Sequence, residues 1–254
     1  MSRRVEVIAL EGIGEVEPGD SVGALLASAV ERGGEALAGD DVVVVSQKIV
    51  SKAEGRVVEL GEVEPGERAV ELAGALEKDP RLVELILRES VEVIRAERGV
   101  LIVEGRAGWT SANAGIDASN VPGSERVTLL PEDPDASARR LRAELRDATG
   151  TSPAVVIADS FGRPWRLGQT DVAIGCAGLT ALDDWRGRRD RDGTQLEATA
   201  IAVGDEIAAA ADLVRDKDDG IPAAIVRGLG RFVAAEDGPG AAVLRRPKED
   251  DLFR

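Results

Sequence analysis

Histidine and tyrosine are absent from this 254-residue chain, and cysteine occurs once. Without imidazole, Ser-His-Asp catalysis and histidine-bearing zinc sites are excluded within one subunit. The single Cys176 can form neither an intramolecular disulfide nor a thiolate zinc site, which fits a reducing interior. Any metal must then be hard and held by oxygen: magnesium, manganese or calcium. No apolar run approaches the length that spans a membrane, and the N-terminus passes straight into a strand pattern. A cytoplasmic protein with no membrane partner is expected.

Positive charge is also short. Lys and Arg number 32 against 47 Asp and Glu, a formal net charge of −15. So acidic a surface argues against general nucleic-acid binding, which needs a basic face. The hydrophobic fraction of 43% is that of a folded chain rather than a disordered acidic one. Many Asp and Glu, few Lys, and Ala and Val in place of bulkier residues point to adaptation to high salt. At ~1 M KCl the Debye length falls to roughly 3 Å, so repulsion among surface carboxylates is screened. The melting temperature is therefore expected to rise from low to molar KCl, and a flat or falling trend would refute the adaptation.

Neither G-x-x-x-x-G-K-[ST] nor G-x-G-x-x-G occurs, so a P-loop or Rossmann fold is not expected. No repeat or clear linker divides the chain, which reads as one α/β domain over 1–254 with a peripheral tail at about 235–254. Arg4 to Leu10 and Val42 to Val45 read as strands, and Asp20 as the cap of a helix from Ser21 to about Arg32. Pro65 to Leu76 and Arg81 to Glu89 carry helical spacing, and Val91 to Ile94 with Val100 to Val103 suggest a hairpin. A Pro-rich turn over Pro131 to Asp135 precedes a helix from Ser137 to Ala148. A long helix is expected from Thr194 to about Val214, then an acidic turn over Asp216 to Pro222 and a last strand, Ala223 to Val226.

Three polar stretches stand out. After the first buried strand, Ser46 to Gly55 carries Lys48 and Lys52, which could hold phosphate or could be a solvated strand end. Thr110 to Val121 is dense in small residues, as close backbone approach to a ligand requires, with Asp117 and Asn120 as its chemical groups. The densest stretch is Ala154 to Leu179. Its strand is expected to stop at Asp159 and break through Ser160, Phe161, Gly162, Arg163 and Pro164. Asp159, Arg163, Arg166, Gln169 and Asp171 then fit a ligand or metal site beyond a strand end, although a charged surface turn has the same pattern. Carboxylates with Lys and Arg, and no His, suit metal-assisted phosphate chemistry.

The blocks SQKIVSKAEGRV, NAGIDASNV, ADSFGRPWRLGQTDVAIGCAGL, LDDWRGRRDRDG, GDEIAAAADLV and DGIPAAIVRG run in order from about residue 5 to 229. This series resembles the coenzyme F420-0:L-glutamate ligase (F420 γ-glutamyl ligase) family. The resemblance implies a two-lobed mixed α/β fold, a homodimer, Mg2+ or Mn2+, and stimulation by K+. It implies a GTP-dependent amide ligase adding L-glutamate to F420-0 through an acyl phosphate, then a second through a γ-linkage. The acidic composition suggests a haloarchaeal version. Carried over by motif, GTP would contact Ile13, Gly14, Glu15 and Val16, then Gln47, Lys48, Lys52, Asn120 and Ser160. It would also touch the turn Val214, Arg215, Asp216, Lys217, Asp218, Asp219, Gly220 and Ile221. Asp117, Asp159 and Asp216 would be metal ligands, and Asp117, Asp159 and Lys52 would carry catalysis. Of the two lysines, Lys48 is expected to be the solvated one. A metal-dependent nucleotide hydrolase or phosphotransferase, and a non-catalytic flavin- or nucleotide-binding module, fit the same residues.

Overall fold

Strand β1 (Glu6–Leu10) is followed by helix α1 (Val22–Arg32), β2 (Val42–Ser46), α2 (Gln47–Ala53) and the short β3 (Val57–Glu59). Helices α3 (Glu67–Leu76) and α4 (Pro80–Arg88) lead into β4 (Ser90–Glu97), β5 (Val100–Gly105) and β6 (Thr110–Ala112). After β7 (Arg126–Thr128) come α5 (Pro134–Thr149) and the long strands β8 (Ala154–Arg163) and β9 (Arg166–Ala177). The chain continues through β10 (Asp183–Asp184), β11 (Ala200–Ile201), α6 (Val203–Asp212) and β12 (Ala223–Arg227). The computed structural model describes residues 4–119, 125–216 and 218–252. Among these no helix is long and apolar enough to cross a membrane.

The fold is mixed α/β. Its main sheet has the order β1-β12-β2-β8-β9, in which β2 and β8 are parallel and the other neighbours antiparallel. Side chains alternate across a strand, and here both faces are covered. Val43, Val45, Val155 and Ile157 pack with Leu26 and Val30 of α1 and Leu141 and Leu145 of α5. Val42, Val44, Val156 and Ala158 pack with Val203, Ile207, Ala208 and Ala211 of α6. Burial on both sides is why these strands read as unbroken apolar runs. Each fully buried Val or Leu contributes about 1.5–3 kcal/mol. A smaller antiparallel sheet, β4-β5-β6, packs Leu101 and Val103 against Ala69 and Ala73 of α3 and Val83 and Ile86 of α4. Strands β3 and β7 pair as a separate ribbon.

Helix ends follow local chemistry. Ser21, not the expected Asp20, caps α1 by accepting from the Ala24 N–H; Asp20 instead accepts from the Glu17 N–H at 2.8 Å. Helix α5 begins inside the expected turn, because Asp133 accepts from the Ala136 N–H and Pro134 is tolerated in a first turn. Gly150, at φ 74°, ends it in the left-handed conformation that stops helices.

Three further expectations fail, the last only in part. Strand β8 does not stop at Asp159: it pairs with β9 from Val155 to Arg163, so Asp159 and Ser160 lie mid-strand. Cross-strand partners for the backbone outweigh the polar composition. The turn comes only at Pro164 and Trp165, a Pro followed by a residue at φ 58°, the combination a type II turn requires. The long helix expected from Thr194 starts only at Val203. Before it, β10 pairs with β11, and the Asp190 carboxylate closes the tip by accepting from the N–H groups of Asp192 and Thr194. Such local bonds compete with helix initiation. The tail is peripheral only in part. Ala241 is fully buried and donates its N–H to the buried Asp135 carboxylate, while Asp237 pairs with Arg142 at 2.8 Å.

Candidate functional site

Four chain segments meet at one edge of the main sheet. The parallel strands β2 and β8 run in register, with Ser46 opposite Ala158. Strand β12 is antiparallel to β2, so Ala223 and the preceding turn reach the same edge, and Leu10 opposite Ala223 brings the first loop there. The Ser46 N–H donates to the Pro222 carbonyl at 2.8 Å, tying β2 to that turn. A cleft of about 1410 Å3 opens here, beyond the carboxyl ends of the parallel strands, where ligands of open α/β sheets bind.

Helix α2 starts at this edge, with Ser46 as its cap. Lys48 and Lys52 lie one turn apart on it, hence on one face, and both line the cleft. The Lys48 ammonium sits 2.8 Å from Asp117 Oδ2 and donates to Ser119 Oγ. Lys48 is therefore paired in the cleft, not solvated. Lys52, with its side chain only 10% exposed, lies 2.5 Å from Glu15 Oε1 of the first loop.

Asp117 is held by Ser119, whose N–H donates to Oδ1 at 2.7 Å and whose hydroxyl donates to Oδ2 at 3.0 Å. Burial by itself raises its pKa, but Lys48 and the Ser119 N–H outweigh that and hold it below the usual carboxylate range. Asp159 goes the other way. Burial, reinforced by the nearby negative charges of Asp171 and Asp117, pushes it up to about 7 despite the opposing Ser160 N–H and Lys48 ammonium. One site thus holds an ionised carboxylate and another poised near neutrality, the separation expected where charge is handled.

Beside them, the Ser160 hydroxyl donates to Asp171 Oδ1 at 2.6 Å, and Arg215 lies 2.5 Å from Asp171 Oδ2. Arg215 also donates to the Pro222 carbonyl at 3.4 Å and the Ala211 carbonyl at 3.3 Å, so one buried guanidinium joins β9, α6 and the turn. The facing wall runs through Asn113, Ala114 and Gly115, all at positive φ (53°, 57° and 69°). A side chain on Gly115 would meet Leu130 at 2.7 Å. Ala114 holds a left-handed conformation that costs an L-residue roughly 1–2 kcal/mol.

Of the residues singled out from sequence, Ile13, Gly14, Glu15, Val16, Lys48, Lys52, Asp117, Asp159, Ser160, Arg215, Asp216, Gly220 and Ile221 line this cleft. Gln47, Val214, Asp218 and Asp219 do not. The Gln47 side chain is fully buried and accepts from the Ser51 hydroxyl, because the helix turns it into the core. Asn120 and Lys217 lie outside the described residues. Ser119 is a site residue that the motifs do not single out, although Asp117-Ala118-Ser119 carries the signal of an Asx-turn. The Asp171–Arg215 pair had no local signal, since its members are 44 residues apart.

Among the described residues no three acidic, Cys or His side chains are grouped as a metal cage. Two carboxylates, Asp117 and Asp159, line the cleft, and hard oxygen donors of this kind suit magnesium or manganese. The raised pKa of Asp159 marks a place where added positive charge is favourable.

The chain matches the family described as F420-0:Gamma-glutamyl ligase over residues 12–228. It is 45% identical over 251 residues to the coenzyme F420:L-glutamate ligase of Methanothermobacter thermautotrophicus, covering 98% of this chain and 99% of that protein. The protein of the same name from Haloarcula marismortui is 46% identical over 257 residues, 98% of this chain and 96% of its own. That of Methanopyrus kandleri is 44% identical over 254 residues, with 99% and 97% covered.

Proposed function

The chain belongs to the F420-0:gamma-glutamyl ligase family, and from that premise we propose that it joins L-glutamate to coenzyme F420-0 at the expense of GTP. A second, γ-linked glutamate follows by the same chemistry. The observation that carries this reading is the convergence of Asp117, Asp159, Lys48 and Lys52 on one cleft at the carboxyl edge of the sheet.

A carboxylate and an amine do not condense in water, so the acid is activated first. The F420-0 carboxylate oxygen attacks the γ-phosphorus of GTP, the bond to the β-phosphate oxygen breaks, and GDP leaves. The glutamate nitrogen, after losing a proton, attacks the acyl carbon, and phosphate departs with the electrons of the C–O bond. Lys52 and Lys48 supply positive charge along the phosphates, acting as flexible point charges. Asp117 and Asp159 would hold the divalent ion, which would offset the charge of the phosphates. Asp159, pushed up to about 7, would have to be ionised to hold that ion. The buried Asp171–Arg215 pair keeps Ser160 and the turn carrying Asp216 in place. No covalent enzyme intermediate is needed, and Cys176, fully buried, takes no part. Potassium is the monovalent activator in this reading. A homodimer would find apolar surface at the tip of the β8–β9 arm, where Trp165 is 82% and Leu167 is 98% exposed.

Incubation with F420-0, L-glutamate, GTP and Mn2+, read by mass spectrometry, should show stepwise addition of glutamate to F420-0. Phosphate release indifferent to glutamate and F420-0 would overturn the ligase reading in favour of a nucleotide hydrolase. Lys52→Ala is expected to weaken GTP binding about tenfold or more, the worth of one charge-assisted contact. Titration calorimetry with a non-hydrolysable GTP analogue checks this, and near-wild-type affinity would remove Lys52 from the phosphate site.

A further inference from the structure

A second cavity, of about 480 Å3, lies behind the wall of the cleft. Ser111 of β6 lines both. The cavity is bounded by Arg56 after α2, Arg88 and Glu89 at the end of α4, Arg106 after β5, and Glu132 before α5. In a chain of net charge −15, three guanidiniums gather here with two carboxylates, and Arg88 is in addition paired with Glu84.

The cationic groups are not equally engaged. Arg56 lies 2.6 Å from Glu89 and donates to the Leu130 carbonyl. Arg88 pairs with Glu84 and donates to the Glu64 carbonyl. The exposed Arg106 side chain makes one bond, from Nε to the Arg88 carbonyl, while its backbone N–H donates to the Glu89 carbonyl; its two terminal nitrogens have no partner among the described residues. Among the described residues Glu132 has only a 3.4 Å contact with Arg56, and its side chain is 82% exposed. Ser111, only 9% exposed, has a hydroxyl with no partner among the described residues. Such a buried orphan calls for an occupant.

We propose that this cavity binds a small acidic amino acid, and, resting on the ligase reading above, that its occupant is the acceptor L-glutamate. Both signs of charge line the cavity. A phosphate would be repelled by Glu89 and Glu132, whereas an amino acid offers an ammonium to the loosely held Glu132 as well as a carboxylate to Arg106. The planar terminal nitrogens of Arg106 suit a carboxylate in bidentate fashion. Glu132 faces the ammonium. The orphan hydroxyl of Ser111 donates to the second carboxylate, which keeps the amino acid against the wall shared with the cleft where the acyl phosphate forms.

The test uses the full chain. Wild type, Arg106→Gln, Arg106→Lys and Ser111→Ala are compared for the KM of L-glutamate and of GTP in ligation, and for direct binding of L-glutamate by calorimetry. Arg106→Gln should raise the glutamate KM about tenfold or more, with Arg106→Lys intermediate and the GTP KM unmoved. Glutarate, which lacks the ammonium, should compete poorly, and Glu132→Gln should narrow the gap between glutarate and glutamate. Unchanged glutamate KM and binding in Arg106→Gln would overturn the proposal. If wild type shows no glutamate-dependent ligation, the ligase reading fails, while the binding arm still decides whether the cavity takes an acidic amino acid.

Discussion

Asp159→Asn is expected to abolish ligation while making the ion-free protein more stable at neutral and alkaline pH. The two effects share one cause. Asp159 is held where burial and the charges of Asp171 and Asp117 disfavour its ionised form, pushing its pKa to about 7. In the unfolded chain it titrates near 3.8. Between these values the native state binds the proton and the unfolded state does not, so stability falls as pH rises. The contribution is fully present below the unfolded pKa and is lost as pH rises through about 7. Asparagine keeps the shape and carries no charge, so the loss disappears. The melting-temperature difference between variant and wild type in a chelating buffer should therefore widen from acidic to neutral pH. A difference that stays flat with pH would mean that Asp159 is not destabilised as an anion.

In ligation the same charge is an asset. In the proposed function Asp159 would help to hold the ion; metal-assisted charge stabilisation is worth several kcal/mol, so its removal should slow turnover by ~100-fold or more. Divalent ion should raise the melting temperature of wild type more than that of the variant. Asp117→Asn should impair ligation similarly without the alkaline stabilisation, because Asp117 is held below the usual range by Lys48 and Ser119. Near-normal turnover of either variant at saturating ion would remove that residue from the site.

Arg215→Ala should cost more stability than any exposed substitution. Arg215 and Asp171 are 4% and 7% exposed at the side chain and lie 2.5 Å apart. Truncating one partner of a buried pair leaves an uncompensated charge, at a cost of about 3–5 kcal/mol. Ser160 offers Asp171 one remaining hydrogen bond, which cannot replace the ion pair. Urea denaturation measures the loss, and a decrease under ~1 kcal/mol would class the pair with ordinary surface bridges. The double variant Asp171→Leu, Arg215→Met should recover much of the stability but not the activity. It removes the buried charges together with the link between β9 and the turn bearing Asp216.

Features written within a few residues of each other were legible before any coordinate. The Val42 to Val45 run, the helical spacing of α1 and α3 to α5, and the last strand all emerged close to their observed bounds, because periodicity and continuous apolar character are local. The absence of His confined any metal to oxygen ligands, whatever the fold. The ordered signature blocks placed the chain in its family before any coordinate was needed. Only the tertiary structure decided where polar residues could be strand. Asp159 and Ser160 read as a break, but β9 satisfies their backbone groups, and composition cannot disclose a neighbour that depends on sheet order. The same holds for Thr194 to Ile201, which a local pattern made helical and the Asp190 turn and β10 drew into a hairpin. Electrostatic partners were the least legible. Lys48 finds Asp117 across the cleft and Arg215 finds Asp171 across the sheet, because a charge selects whatever opposite charge the packed elements place within reach. Spacing along the chain says nothing of that distance.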